Sequence, residues 1–245
     1  MFGKKSTKEK LSIHTPKIIV GQKSGESESY YRLKDNILYY SDSGKNKVFQ
    51  IESAISGEGK STVIINLAVA LAKSGKKVAL LDLDFRRPQI HRSFEILNVN
   101  GIAEYMLNDC TKEELIKKTS YGVDVINRGK ATQNASIIFT SDKFNELIKE
   151  LREEYDIVLF DCPPVLMVSD YIHISKLSDA VIYVVCAGIT LRNHCKEALE
   201  LLKRNDVKIV GTVLTYKNLR KTRVRYGRYY GSRYYRSVKD NYMDL

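Results

Sequence analysis

The stretch from Val48 to Ala72, VFQIESAISGEGKSTVIINLAVALA, limits what this chain can fold into more than any other. A short apolar strand, Val48 to Ile51, runs into a glycine-bearing loop that ends in Gly59-Lys60-Ser61 at the head of a helix. Apolar residues of that helix recur at helical spacing (Ile64, Leu67, Ala68, Leu71). This order of residue types makes a phosphate-binding loop. Glycines let the backbone curl until its N–H groups converge, the helix N-terminus adds partial positive charge, Lys60 reaches the β- and γ-phosphates, and the Ser61 hydroxyl is suited to ligate Mg²⁺. Ala54 stands where the usual pattern has its first Gly. Ser56, Gly57, Glu58, Gly59, Lys60, Ser61 and Thr62 are therefore the candidate nucleotide-binding residues.

Two further apolar strands end in carboxylates. Val78 to Leu81 runs into Asp82-Leu83-Asp84-Phe85-Arg86-Arg87-Pro88, and Ile157 to Phe160 runs into Asp161-Cys162-Pro163-Pro164. In parallel sheets ligands bind beyond the carboxyl ends of the strands, so all three acids are predicted to face one site. Asp161 is suited to hold the water shell of Mg²⁺. The remaining pattern extends the alternation. Strands are predicted at Val123 to Ile126, Ala180 to Cys186 and Lys208 to Leu214. Helices are predicted from near Ser27 (stripe Tyr30, Leu33, Ile37, Tyr40), over Ser141 to Tyr155, and over Leu191 to Arg204, with helical patches between Gly101 and Tyr121. Strands alternating with helices predict an α/β fold with a doubly wound, mostly parallel sheet and helices on both faces.

The chain has 245 residues, enough for one such domain with tails. Residues 1–26 read as a mobile leader, 27–215 as the domain and 216–245 as a flexible basic tail. No apolar run approaches the roughly 20 residues that span a bilayer, and MFGKKSTKEK is not followed by an apolar segment, so a cytoplasmic location is expected. Cys110, Cys162, Cys186 and Cys195 lack metal-type pairing, and no disulfides are expected. The net charge of +11 is concentrated at one end: Lys217 to Arg236 holds eight Lys/Arg and no Asp or Glu. Seven of the sixteen tyrosines lie from Tyr216 onward, interleaved with Arg and Gly, a composition that builds no core. Such a tail is drawn to anionic surfaces, among which the Asp82/Asp84 site of a neighbouring subunit and a membrane leaflet are expected. Nucleic-acid contacts by this tail would have no folded platform behind them, so no specific nucleic-acid partner is expected.

The combination SGEGKST, Asp82-x-Asp84-x-Arg86, Asp161-x-x-Pro164 and a terminal tyrosine cluster resembles the bacterial tyrosine kinases that control capsule and exopolysaccharide synthesis. The resemblance covers residues 26–245. It implies that Lys60 and Ser61 bind the phosphates and Mg²⁺ of ATP (Walker A), that Asp82 and Asp84 form the Walker A′ motif, and that Asp161 is the Walker B acid. Transfer to a phenol needs a carboxylate near the phenol, Mg²⁺ on the γ-phosphate and positive charge on the developing oxyanions. Asp82 is assigned the first role, Asp84 and Asp161 with Ser61 the metal, and Lys60 with Arg86 or Arg87 the charge. The family further implies autophosphorylation in trans on Tyr226, Tyr229, Tyr230, Tyr234, Tyr235 and Tyr242. It also implies a ring-shaped homo-oligomer, a transmembrane activator of polysaccharide co-polymerase type that recruits the kinase to the inner membrane face, and a cognate phosphotyrosine phosphatase.

This chain departs from the family pattern in three places. The interface motif Glu-x-x-Arg-x-x-Arg reads Glu28-x-x-Tyr31-x-x-Lys34, the proline-rich segment survives only as Gly129 with Asn134, and Thr215 replaces the usual Asn after the last strand. Two other readings share the motifs: a positioning ATPase of the ParA/MinD type, which would place a second Lys where Ile55-Ser56 stands, and a non-catalytic nucleotide-dependent adaptor of polysaccharide export.

Overall fold

The computed structural model describes residues 15–22, 24–41, 46–131 and 135–216. The predicted strands form, each within a few residues of its apolar run: β1 (Val48–Ser53), β2 (Val78–Asp82), β4 (Val123–Ile126), β5 (Ile157–Asp161), β6 (Ala180–Ala187) and β7 (Ile209–Tyr216). An additional strand, β3 (Ile116–Lys118), pairs antiparallel with β4 and closes one edge. The sheet order is β3-β4-β2-β5-β1-β6-β7, with every pair but the first parallel. β1, β2 and β5, the three strands with chemistry at their ends, therefore lie side by side. β5 is in the middle, and Asp82 is in register with Asp161.

Successive residues on these central strands bury opposite faces, as parallel strands covered on both sides must. Phe49, Ile51, Leu80 and Leu159 join the core under α1 (Gly25–Ser41) and α2 (Lys60–Lys73). Val48, Leu81, Val158 and Phe160 join the core under α7 (Asp142–Glu154), whose Phe144, Leu147, Ile148 and Leu151 are buried. Ser141 caps α7 by accepting from the Phe144 N–H at 3.3 Å. A smaller cluster sits under α9 (Arg192–Arg204), which buries Ala198 and Leu202 against Tyr183 of β6. Cys110, Cys162 and Cys186 are buried free thiols and Cys195 is half-buried. Among the described residues no helix is long and apolar enough to cross a membrane.

Short elements absent from the sequence reading fill the connections: α3 (Ile90–Ser93), α6 (Ala135–Thr140) and α8 (Asp170–Ile174). The predicted helical region after Gly101 resolves into α4 (Ile102–Met106), α5 (Lys112–Leu115) and the edge strand β3. The leader expected to be mobile is corrected over residues 15–22, which dock on the domain. The Asn66 side chain, buried in the apolar run of α2, accepts from the Ile19 N–H at 2.6 Å and the Val20 N–H at 3.1 Å. Its amide donates to the Lys17 carbonyl at 2.8 Å. One side chain thus replaces several strand-type hydrogen bonds and seats Val20 in the core. The first helix also starts two residues earlier than predicted, at Gly25. The six tail tyrosines expected to be modified, Tyr226 to Tyr242, lie outside the described residues.

Candidate active site

The phosphate loop leaves β1 at Ser53 and enters α2 at Lys60 through Gly57 (φ 86°) and Gly59 (φ 97°), left-handed positions that favour glycine. Glu58 is buried and its carboxylate serves the loop itself. It accepts from the Ile55 N–H at 2.8 Å and from the Thr190 hydroxyl. The Glu58 carbonyl accepts from the Thr215 hydroxyl at 2.7 Å. The Glu58 side chain is therefore spent on shaping the curl, which leaves only its backbone to phosphate. Thr215 at the end of β7 fastens the loop from outside. The Lys60 ammonium is nearly buried and donates to the Ser53 hydroxyl at 3.1 Å, so the lysine lies back along its own loop.

The three strand-end acids are gathered as predicted but are not equivalent. Asp82 is fully buried. Its Oδ2 accepts from the N–H groups of Gln89 (3.1 Å) and Ile90 (3.2 Å), and its Oδ1 has no partner. Asp161 is buried as well, accepts from the Ser61 hydroxyl, and keeps an unpartnered Oδ1. Asp84 is half-buried, and its Oδ1 caps its own turn through the N–H groups of Arg86 (3.1 Å) and Arg87 (2.9 Å). Burial first, then the proximity of Asp161 and Asp84, pushes the Asp82 carboxyl well above the usual range. Burial likewise raises Asp161 to about 7, opposed by Lys60 and the Ser61 hydrogen bond. Buried carboxylates with free lone pairs beside a lysine and a serine hydroxyl have the chemistry of a nucleotide–cation site. Among the described residues no group of three or more Asp, Glu, His or Cys converges. The expected donors Ser61, Asp84 and Asp161 offer one hydroxyl and two carboxylates, a set chemically suited to a hydrated Mg²⁺.

Arg86, expected to lend charge to the reaction, is instead ion-paired to buried Asp170 at 2.6 Å, tying the loop after β2 to α8. A fourth acid escaped the sequence reading. Glu52 on β1 is fully buried on the same face as Gln50, whose amide donates to Glu52 Oε1 at 2.5 Å; Gln50 in turn accepts from the Ser178 hydroxyl at 3.1 Å. Glu52 Oε2 has no partner, and burial raises the carboxyl to about 8 against the pull of Gln50 and Lys60. The signal was present in the sequence, since Gln and Glu two apart in an otherwise apolar strand must share one buried face.

A glycine-rich curl between strand and helix, at the carboxyl ends of a doubly wound parallel sheet, defines a P-loop ATPase. The family model described as "AAA domain" matches residues 46–204. "Tyrosine-protein kinase YwqD" of Bacillus subtilis is 35% identical over 222 residues, 90% of this chain and 90% of that protein. The structure titled "Crystal structure of the chimerical protein CapA2B2" superposes with a TM-score of 0.77 at 34% identity, covering 81% of this chain and 88% of that one. The MinD of Pyrococcus horikoshii complexed with Mg-ADP reaches a TM-score of 0.58 at 26% identity, covering 69% of each chain. The chain belongs to the bacterial tyrosine-protein kinases, and the positioning-ATPase reading is the weaker match in both fold and length covered.

Proposed function

We propose that this protein is an ATP- and Mg²⁺-dependent autokinase that phosphorylates Tyr226, Tyr229, Tyr230, Tyr234, Tyr235 and Tyr242 of a second copy and so regulates capsular or exopolysaccharide export. The observation that carries the reading is the pair of orphaned, buried carboxylate oxygens on Asp82 and Asp161, residues in register at the carboxyl ends of the neighbouring strands β2 and β5. Ser61, Asp84 and Asp161 would hold Mg²⁺, which would supply charge neutralisation at the phosphates. The loop N–H groups and Lys60 hold the phosphates, with Lys60 leaving Ser53 to do so. Asp82 Oδ1 takes the phenolic proton. Its Oδ2 is fixed by two N–H groups, so the free oxygen is oriented before the acceptor arrives.

The remaining parts of the reading follow from the family likeness: a transmembrane activator that brings the kinase to the inner membrane face, a homo-oligomer, and a phosphatase that resets the tail. Arg32 and Lys34 of α1, the helix expected at the oligomer interface, pair within the chain with Glu28 (3.8 Å) and Asp35 (2.6 Å). The exposed Arg32 pair is weak and leaves that residue available to a neighbour, whereas the Lys34 side chain is mostly buried. Anti-phosphotyrosine blotting with ATP and Mg²⁺, with and without the activator's cytoplasmic segment, tests the kinase against the non-catalytic adaptor. Asp82→Asn is expected to keep ATP affinity within about twofold while slowing transfer at least about hundredfold, as loss of a proton acceptor demands. Equal loss of binding and transfer would move Asp82 to the metal or to the fold.

A further inference from the structure

The approach to the site is basic, not acidic. Asp82 and Asp161 are buried, and Asp84 is turned into its own loop. The surface around them is built by the loops after β2 and β4, which lie side by side because those strands pair. Arg128 joins them, its guanidinium donating to the Phe85 carbonyl at 2.7 Å and the Gly129 carbonyl at 3.1 Å, neither of which cancels its charge. Arg92 stands on α3, two residues after Ile90, the second of the two residues whose N–H groups hold Asp82. Lys130 is exposed two residues beyond Arg128, and both Arg92 and Arg128 act electrostatically on His91 between the loops. Among the described residues Arg92, Arg128 and Lys130 form no ion pair. Glu95, the nearest exposed acid along the chain from α3, pairs with none of them.

The tail carries its tyrosines in two charge settings. Tyr226, Tyr229, Tyr230, Tyr234 and Tyr235 each have an Arg within two residues, whereas Tyr242 lies between Asp240 and Asp244. The expectation that the basic stretch is drawn to the Asp82/Asp84 site therefore reverses at close range: an arginine-flanked tyrosine meets like charge, and Tyr242 meets opposite charge.

We propose that the rim formed by Arg92, Arg128 and Lys130 selects Tyr242 of a second copy as the first acceptor and holds back the arginine-flanked tyrosines. The selection rests on the kinase reading above. In the step itself the Tyr242 phenolic oxygen bonds to the γ-phosphorus of ATP, the bond from that phosphorus to the β,γ-bridging oxygen breaks, the phenolic proton passes to Asp82, and ADP leaves. The added phosphate then gives the tail a dianionic group that the same rim attracts, so the first modification retains the tail for the next ones.

The test has a binding arm and a turnover arm, both with the full chain. With Mg·ADP present, a fluorescent peptide of residues 237–245 is expected to bind at least about fivefold more tightly than one of residues 224–232, with the difference shrinking at high salt. Arg92→Glu combined with Lys130→Glu, both exposed, is expected to erase or invert the preference without changing the melting temperature. In the second arm, site-resolved mass spectrometry over time with ATP, Mg²⁺ and the activator segment is expected to find Tyr242 modified first, and Asp240→Asn/Asp244→Asn to remove that lead. Equal or tighter binding of the arginine peptide, a preference that survives the double rim variant, or earlier modification of Tyr226 to Tyr235 overturns the selection while the kinase reading stands. Intact peptide preference with no phosphotyrosine at any site overturns the kinase reading and the selection with it.

Discussion

The two ends of the central strands use the same residue type in opposite ways. At the amino end Asp179 receives the N–H groups of Lys47 (2.7 Å) and Val48 (2.8 Å), and Arg152 pairs with both of its oxygens at 2.9 and 2.8 Å. At the carboxyl end Asp82, Asp161 and Glu52 each keep one buried oxygen without a partner, and all three carboxyls are raised. One end spends its charge on holding β1, β6 and α7 together. The other stores unsatisfied polarity, which natural structures tolerate where a ligand completes it. Position in the sheet, not residue type, decides which acids are satisfied and which keep a free oxygen.

The largest effect that sharpens this contrast is expected at Lys60. Lys60→Met removes the loop cation and is expected to weaken ATP at least about hundredfold in calorimetry, close to 3 kcal/mol, with the melting temperature unchanged. Near-normal affinity would break the assignment of the carboxyl end. At the other end Asp179→Ala leaves two N–H groups and a guanidinium unmatched and is expected to cost about 2 kcal/mol in urea unfolding, with ATP affinity per folded molecule preserved.

A pH titration separates the ends further. The folded state holds the Glu52 proton up to about pH 8, whereas the unfolded chain releases it near 4.5. Over that window the native state binds the extra proton, so this residue makes stability fall as pH rises. Glu52→Gln, which keeps an acceptor for Gln50 and replaces the protonated oxygen by an amide, is expected to flatten the fall and gain on the order of 2 kcal/mol at pH 8, with little change at pH 5. A parallel fall in the Gln variant would show that Glu52 is not the group responsible.

The sequence made the ligand end legible because its signals are local: glycines and lysine in fixed order, and an acid directly after each apolar run. Strands β2, β4 and β5 were recovered to within a residue for the same reason, since buried parallel strands are unbroken apolar runs. What stayed hidden depends on partners far along the chain. Asn66 reads as one polar residue in an apolar helix, and only the fold brings Ile19 and Val20 to it. The edge strand β3 is three residues long and carries two lysines, too short and too polar for a period to appear. Arg86 looked like a free catalytic charge because Asp170 lies eighty-four residues away. Glu52 lies one residue beyond the apolar run Val48 to Ile51, where the strand pattern in the sequence stops.

The smallest expected effect is the one whose sign matters most. If the carboxyl end gives up stability for ligand, Asp161→Asn is expected to make the nucleotide-free protein more stable at pH 8, by about 1 kcal/mol, because it removes a carboxylate whose charged form burial disfavours more than Lys60 and Ser61 favour it. With Mg·ADP the order is expected to reverse, the wild type gaining stability by mass action while the variant gains little. Urea unfolding of both proteins with and without Mg·ADP reads this directly: a crossing of the two stabilities is the predicted result, and a variant less stable than wild type in both conditions would contradict the account.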